Sequence, residues 1–276
     1  MTTNFLSKMN LVENILDCHF PNRRWIIQKP IAGLSKESYV VTSEEGKLFV
    51  KFDVDTPALL RLAEIGVAPP ILISSIVNGR PYIIQKFVDG IYPDREWFFQ
   101  NLPALAHFIK IYQKDKELRK ILKKDLSKSY QNHLDHELKV LSKSVNDDRS
   151  ELFRTEEFNK SFEILYREAS KLVSVSLVPV HADPNYKNIL LTKQGIKMID
   201  WDDILLSDPM RDVGLILWWY VRRTEWPKFF ACYGGVMDEE KICWWVAKRS
   251  LAIALWFSAR KDGNEAAEFL RDFHAA

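Results

Sequence analysis

Apolar and polar positions alternate at period two up to about Gly90, and beyond it apolar residues recur every three or four positions, so the chain predicts a strand-rich beginning and a helical remainder. Trp25-Ile26-Ile27 opens the strand signals. Ser38-Tyr39-Val40-Val41-Thr42 and Lys47-Leu48-Phe49-Val50-Lys51-Phe52 then flank the turn-like Ser43-Glu44-Glu45-Gly46, which predicts a hairpin. Residues 57–65 have helical spacing in Leu59, Leu60, Leu62 and Ala63 and stop at Gly66, with Pro69-Pro70 just beyond. Ile71 to Ile76 and Pro81 to Val88 predict a second strand pair around Asn78-Gly79.

From Gly90 the texture is helical. Residues 94–113 place Trp97, Phe98, Leu102, Leu105, Ile109 and Tyr112 near one face of a helix. Leu118, Leu122, Leu126, Tyr130, Leu134 and Leu138 recur every four residues, and a further helix covers 155–172. Leu177-Val178-Pro179-Val180 reads as a short strand, and Ile189–Thr192 with Ile196–Ile199, joined by Lys193-Gln194-Gly195, as another hairpin. After Pro209 the chain is helical and rich in tryptophan. The boundary falls near Val88-Asp89-Gly90, giving an N-terminal lobe of residues 1–89 and a C-terminal lobe of 90–276.

Composition narrows the partners. With 276 residues and 47% apolar content the chain can bury a substantial core. Lys+Arg (39) and Asp+Glu (37) nearly cancel to +2, which gives no reason to expect nucleic acid or an anionic membrane as partner. The lysines between 114 and 128 alternate with leucines as a solvated helix face does. No apolar run is long enough to cross a bilayer; Leu251 to Phe257 is bounded by Arg249 and Arg260 and reads as a buried helix. Cys18, Cys232 and Cys243 have no metal-ligand spacing and point to free thiols in a reducing, cytoplasmic compartment.

The chemistry concentrates in His181-Ala182-Asp183-Pro184-Asn185-Tyr186-Lys187-Asn188, followed by Ile199-Asp200-Trp201-Asp202. An aspartate, an asparagine five residues on, and a second aspartate closing an apolar segment form the set that kinase-type phosphoryl transfer needs. One carboxylate accepts the proton of the attacking hydroxyl, while an amide oxygen and another carboxylate hold magnesium against phosphates.

These residues, with Asp208-Pro209-x2-Asp212, Lys51, the segment Gly33 to Tyr39 and the run Phe87-Val88-Asp89-Gly90, resemble the aminoglycoside phosphotransferase and choline kinase superfamily. The resemblance extends from about Ile31 to Asp212. It implies an α+β, two-lobed protein-kinase-like fold, with an antiparallel sheet in the first lobe, a mainly helical second lobe and the nucleotide in the cleft beneath the Gly33 loop. It makes Asp183 the catalytic base and Asn188 and Asp200 the magnesium ligands. Lys51 steadies the phosphates, Ser35 and nearby backbone N–H groups cradle them, and the backbone around Gln85, Lys86 and Phe87 meets the adenine edge. His181, Asp208 and Asp212 support the catalytic loop. The implied donor is ATP, with GTP left open, and the acceptor is the hydroxyl of an amine-bearing alcohol of the choline or aminoglycoside type.

Two departures bear on that reading. The family lysine usually pairs with a glutamate on the following helix, but Asp55 or Thr56 stands there and Glu64 lies too near the helix end. Either Asp53 or Asp55 substitutes, or the lysine is held otherwise; a non-catalytic nucleotide-binding regulator is the corresponding alternative function. A protein kinase is disfavoured because Asp208 follows Asp200 too closely for an activation segment. For the acceptor, tryptophans 218, 219, 226, 244, 245 and 256 offer cation-binding faces or a helical core. Asp238-Glu239-Glu240 offers either an acidic subsite or a helix N-terminus.

Overall fold

The computed structural model describes residues 2–30, 37–123 and 129–276. In chain order its elements are α1 (Thr2–His19), β1 (Ile26–Gln28), β2 (Ser38–Ser43), β3 (Gly46–Phe52), α2 (Thr56–Glu64), β4 (Ile71–Val77) and β5 (Arg80–Lys86). There follow α3 (Arg95–Gln100), α4 (Leu102–Gln113), α5 (Lys116–Leu122), α6 (Tyr130–Asp147), α7 (Glu156–Ala169) and β6 (Val178–Val180). The chain ends with β7 (Ile189–Thr192), β8 (Gly195–Met198), β9 (Leu205–Ser207), α8 (Met210–Tyr220), α9 (Trp226–Tyr233), α10 (Glu239–Ser258) and α11 (Gly263–Ala275). The class is α+β, and the strand pairs among the described residues are antiparallel. Two compact units form, one of Met1–Pro93 with Tyr186–Asp203 and one of Asp94–Asn185 with Ile204–Ala276.

The first unit is built on a five-stranded sheet of order β1-β2-β3-β5-β4. The β2–β3 hairpin closes with Ser43 opposite Gly46, and β4–β5 turns at Asn78 and Gly79, whose φ angles are 50° and 75°. A two-residue hairpin turn needs left-handed backbone at both positions, and Asn-Gly supplies it with least strain. Alternate residues Tyr39, Val41, Val50, Phe52, Tyr82 and Ile84 place one face of the sheet in the core, where Val12, Ile15 and Leu16 of α1 cover it. The alternation upstream gave no sign of α1. The β7–β8 hairpin joins this unit through Met198 N–H donating to the Val67 carbonyl (2.7 Å) and through a bridge between Ile91 and Leu191. Gly90 makes that bridge possible, since a Cβ there would lie 3.0 Å from the Leu191 carbonyl oxygen.

The second unit corrects two helix expectations. Residues 94–113 form two helices rather than one, broken at Asn101, because Pro103 falls in the first turn of α4. Proline lacks an N–H and clashes with the preceding turn in a helix interior, but costs nothing at a helix start. The leucine repeat from 118 to 138 is also divided. α5 ends at Leu122, and α6 begins after Ser129, whose hydroxyl caps the Asn132 N–H at 3.3 Å. Leu126 lies outside the described residues. Lys114, Lys116, Lys120 and Lys123 are exposed around buried Leu118, so this stretch is a solvated face. α8 and α11 pack on α10, and no helix among the described residues is long and apolar enough to cross a membrane.

Behind that helical core lies a buried ionic cluster. Glu137 of α6 accepts from Arg211 of α8 at 2.9 Å and from Lys248 of α10, and His133 meets the Ser207 hydroxyl at 2.9 Å. Burial pushes the Glu137 carboxyl up, but Arg211 and Lys248 outweigh it and bring it down to about 2 from 4.5. Burial lowers His133 from 6.5 to about 4, against the pull of Glu137. At both groups the unfolded chain binds more protons across the interval between its own value and the folded one, so stability rises with pH there. Both effects are complete above the unfolded value and lost as pH falls through the folded one. Melting temperature is therefore expected to start falling below pH 6.5 and to keep falling toward pH 2. A melting temperature that stayed level between pH 6.5 and 4 would rule out the His133 contribution.

Candidate active site

In the first unit, β3 carries Lys51 inward, opposite Ser38 on one side and Ile83 on the other. Its ammonium lies 2.8 Å from Asp200 Oδ1 and 2.7 Å from Asp202 Oδ1. The helix that follows supplies no acid to it. Asp55 caps α2 by accepting from the Ala58 N–H at 3.3 Å, Asp53 pairs with Arg80 at 2.6 Å, and Glu64 pairs with Arg61 at 2.8 Å. The lysine is thus held otherwise, by two carboxylates on one short turn. Asp202 is the more enclosed of the two, with 9% of its side chain exposed against 34% for Asp200.

The β7–β8 hairpin brings Asn188 and Asp200 to the same end. Ile189 pairs with Met198, and the Ile199 N–H donates to the Asn188 carbonyl at 2.9 Å. The chain then turns sharply: Asp200 takes φ of 61°, and buried Trp201 fixes the turn by donating its indole N–H to the Met198 carbonyl at 2.8 Å. A left-handed non-glycine residue costs of the order of 1–3 kcal/mol and persists where the surroundings over-determine it. Gln85 is buried on β5, and its side-chain amide approaches the Pro69 carbonyl at 3.4 Å. The Lys86 and Phe87 N–H groups donate to the carbonyls of Pro70 (3.0 Å) and Lys47 (3.2 Å). These two amides are committed to backbone carbonyls. Ser35 lies outside the described residues.

In the second unit, β6 pairs with β9 and delivers the chain to His181, which is fully buried. Asp212, on the first turn of α8, accepts from the backbone N–H groups of His181 (2.7 Å) and Ala182 (2.9 Å) and from the Tyr112 hydroxyl (2.9 Å). Ala182 adopts φ of 71° and directs the following residue away from the strand. Asp183 is 32% exposed at its side chain. Its N–H donates to His181 Nδ1 (3.3 Å), its Oδ2 accepts from Asn185 Nδ2 (2.9 Å), and its Oδ1 accepts from Arg249 of α10 (3.1 Å). Asp208 accepts from the Met210 N–H (2.8 Å) and takes the Tyr130 hydroxyl at 2.6 Å and the Lys241 ammonium at 3.3 Å. The start of the loop that presents Asp183 is thus held by buried Asp212, while Asp208 ties the start of α8 to α6 and α10.

The aromatic and acidic acceptor candidates separate by burial. Trp226, Trp244 and Trp245 are core residues. Trp218 and Trp219 are half-buried and donate to Asp272 at 3.4 and 3.2 Å. Trp256 is 44% exposed, and the Arg260 guanidinium lies over its ring at 3.4 Å. Asp238 caps α10 through the Lys241 N–H (3.0 Å), and Glu239 pairs with Arg223.

A model of the phosphotransferase enzyme family matches residues 27–235. The chain belongs to that family. Its structure is similar to a choline kinase from Streptococcus pneumoniae at TM-score 0.72 and 15% identity, over 98% of this chain and 100% of that one. A choline/ethanolamine kinase family protein from Mesorhizobium loti matches at 0.68 and 14%, over 96% and 94%. A spectinomycin phosphotransferase solved with ADP and spectinomycin matches at 0.67 and 13%, over 96% and 93%. At such identities the likeness establishes the fold, the kinase-like one of these enzymes. The family is one of phosphotransferase enzymes.

From the sequence alone, Asp202 reads as a residue facing the site or, at least as well, as a solvated carboxylate next to Asp200; the backbone turn at Trp201 brings it to Lys51. Arg249 served merely as the charge that ends an apolar segment, and no local pattern ties it to an aspartate 66 residues earlier.

Proposed function

We propose that this phosphotransferase moves the γ-phosphoryl group of ATP, with magnesium, to a hydroxyl of a small amine-bearing alcohol. The observation that carries the reading is the Lys51 ammonium held by Asp200 and Asp202 on the hairpin that also positions Asn188. It supports an intact phosphate-handling lysine despite the absent helix acid, and so weighs against a non-catalytic regulator. The donors fit magnesium: an amide oxygen and one or two carboxylates, with no cluster of three or more His, Cys, Asp or Glu ligands among the described residues. Magnesium takes few protein ligands and completes its octahedron with water and phosphate oxygens. When bound by Asn188 and Asp200 it would neutralise charge on the phosphate oxygens.

The protein's own groups then have distinct tasks. Asp183 accepts the hydrogen bond of the acceptor hydroxyl, orients it and takes its proton. Asp202 keeps Lys51 in place while the more exposed Asp200 is available as a ligand. Carbonyl groups between Gln85 and Phe87 accept from the base, and Ser35 remains our assignment for the phosphate turn. GTP could serve the same groups. Residues 1–89 would supply most of the nucleotide side and 90–276 the acceptor side, in a cytoplasmic enzyme.

Within the amine-bearing class, a choline or ethanolamine type fits better than an aminoglycoside. Asp238 and Glu239 are already engaged at the start of α10, and Glu239 precedes Arg249 by ten residues, about 15 Å along the helix. A transfer assay with γ-labelled ATP over choline, ethanolamine, homoserine, aminoglycosides, sugars and a generic protein tests the reading. Label on an amine-bearing alcohol supports it. Label on protein alone, or nucleotide binding without any transfer, overturns it.

A further inference from the structure

We propose that Arg249 is the positioning residue of the catalytic aspartate. The inference rests on the assignment of Asp183 as base. Arg249 reaches Asp183 Oδ1 at 3.1 Å, while Asn185 takes Oδ2 at 2.9 Å, so one donor sits on each oxygen of the carboxylate. A donor on each oxygen fixes the plane of the carboxylate.

The arginine is itself well anchored. Its neighbours Lys248 and Ser250 are buried in α10, with Lys248 tied to Glu137 and the adjoining turn packed around fully buried Trp245. Asn185 belongs to the same loop as Asp183, so it moves with it, whereas Arg249 ties the carboxylate to a 20-residue helix. A charge-assisted bond between partly enclosed groups is stronger than a neutral one. Arg249 Nε is also buried without a hydrogen-bond partner among the described residues, unlike the donors of a purely structural pair, which are normally satisfied.

A base displaced by about 1 Å loses of the order of 100-fold in rate without loss of binding. Arg249→Met is expected to lower kcat about 100-fold, with the KM values for ATP and acceptor changed less than about threefold. Arg249→Lys should fall between it and the wild type. Turnover of ATP is read with choline as acceptor and, separately, with water. ADP affinity by calorimetry and the melting temperature are measured on every variant. Guanidinium ion added to Arg249→Met should recover part of the lost kcat, and Arg249→Met should add little further loss in an Asp183→Asn background.

Full kcat in both Arg249→Met and Arg249→Lys overturns the proposal. So does a loss that adds in full to that of Asp183→Asn, or a loss confined to KM. If Arg249→Met melts near the assay temperature, the Arg249→Lys result decides alone. Full activity in Asp183→Asn itself would instead remove the base assignment, which separates the two failures.

Discussion

Asp183→Asn is expected to lower kcat for phosphoryl transfer by about 10³-fold while leaving ADP affinity and the melting temperature nearly unchanged. The substitution keeps the size of the side chain and an oxygen able to accept from Arg249. It removes the charge that orients the acceptor hydroxyl and the lone pair that takes its proton. Stability should hold because the loop is suspended elsewhere. Asp212 receives the His181 and Ala182 N–H groups, and His181 Nδ1 receives the Asp183 N–H, whatever side chain stands at 183. Nucleotide affinity should hold because Lys51, Asp200 and Asp202 form their own cluster within the first unit. Steady-state kinetics, ADP calorimetry and a thermal melt check the three parts. A kcat within tenfold of wild type would deny the residue its role as base. A collapsed melting temperature would make it a structural residue instead.

The same contrast between local and distant effects explains what could be read in the sequence. The hairpins at 38–52, 71–86 and 189–198 were legible because alternation and a glycine turn act between residues that are close in the chain. Helix existence was legible too, except for α1, but not every boundary. The repeat through 94–113 carries the right face on both sides of Asn101, and Pro103 overrides it by starting a new helix. β9 is three residues long and is defined by its partner β6, so it leaves no periodic trace.

The site divides in a similar way. Asp183, Asn188 and Asp200 stand out through spacing alone, because one loop and one hairpin position all three. The partners of these groups do not. Lys51 meets Asp200 across 149 positions, Tyr112 meets Asp212 across 100, and Arg249 meets Asp183 across 66. Such pairs are set by the packing of separate elements, and nothing in the vicinity of either residue encodes them. Arg249 is instructive, since its charge beside an apolar stretch had a sufficient explanation as the polar end of a helix segment.

The lysine cluster yields the second large effect. Lys51→Met is expected to lower kcat/KM for ATP by about 10²–10³-fold, the scale for removing one preorganised charge from an enclosed site. The comparison that matters is among the neighbouring acids. In kinase-like enzymes with a helix glutamate, the helix itself sets the position of the lysine; here the helix acids are spent on Ala58, Arg61 and Arg80, and Asp202 stands beside the ammonium instead. Asp202→Asn should therefore cost about tenfold in kcat/KM, mainly as a raised KM for ATP, because an amide accepts one hydrogen bond from Lys51 without holding its charge. Asp53→Asn and Asp55→Asn should leave catalysis within about twofold, the latter because asparagine is as good a helix cap as aspartate. If instead Asp202→Asn is silent and Asp53→Asn or Asp55→Asn is damaging, the lysine draws its orientation from the helix side in the working enzyme. With the order found as expected, α2 would have no part in orienting the lysine, and Thr56 in place of an acid would follow from where Lys51 is held.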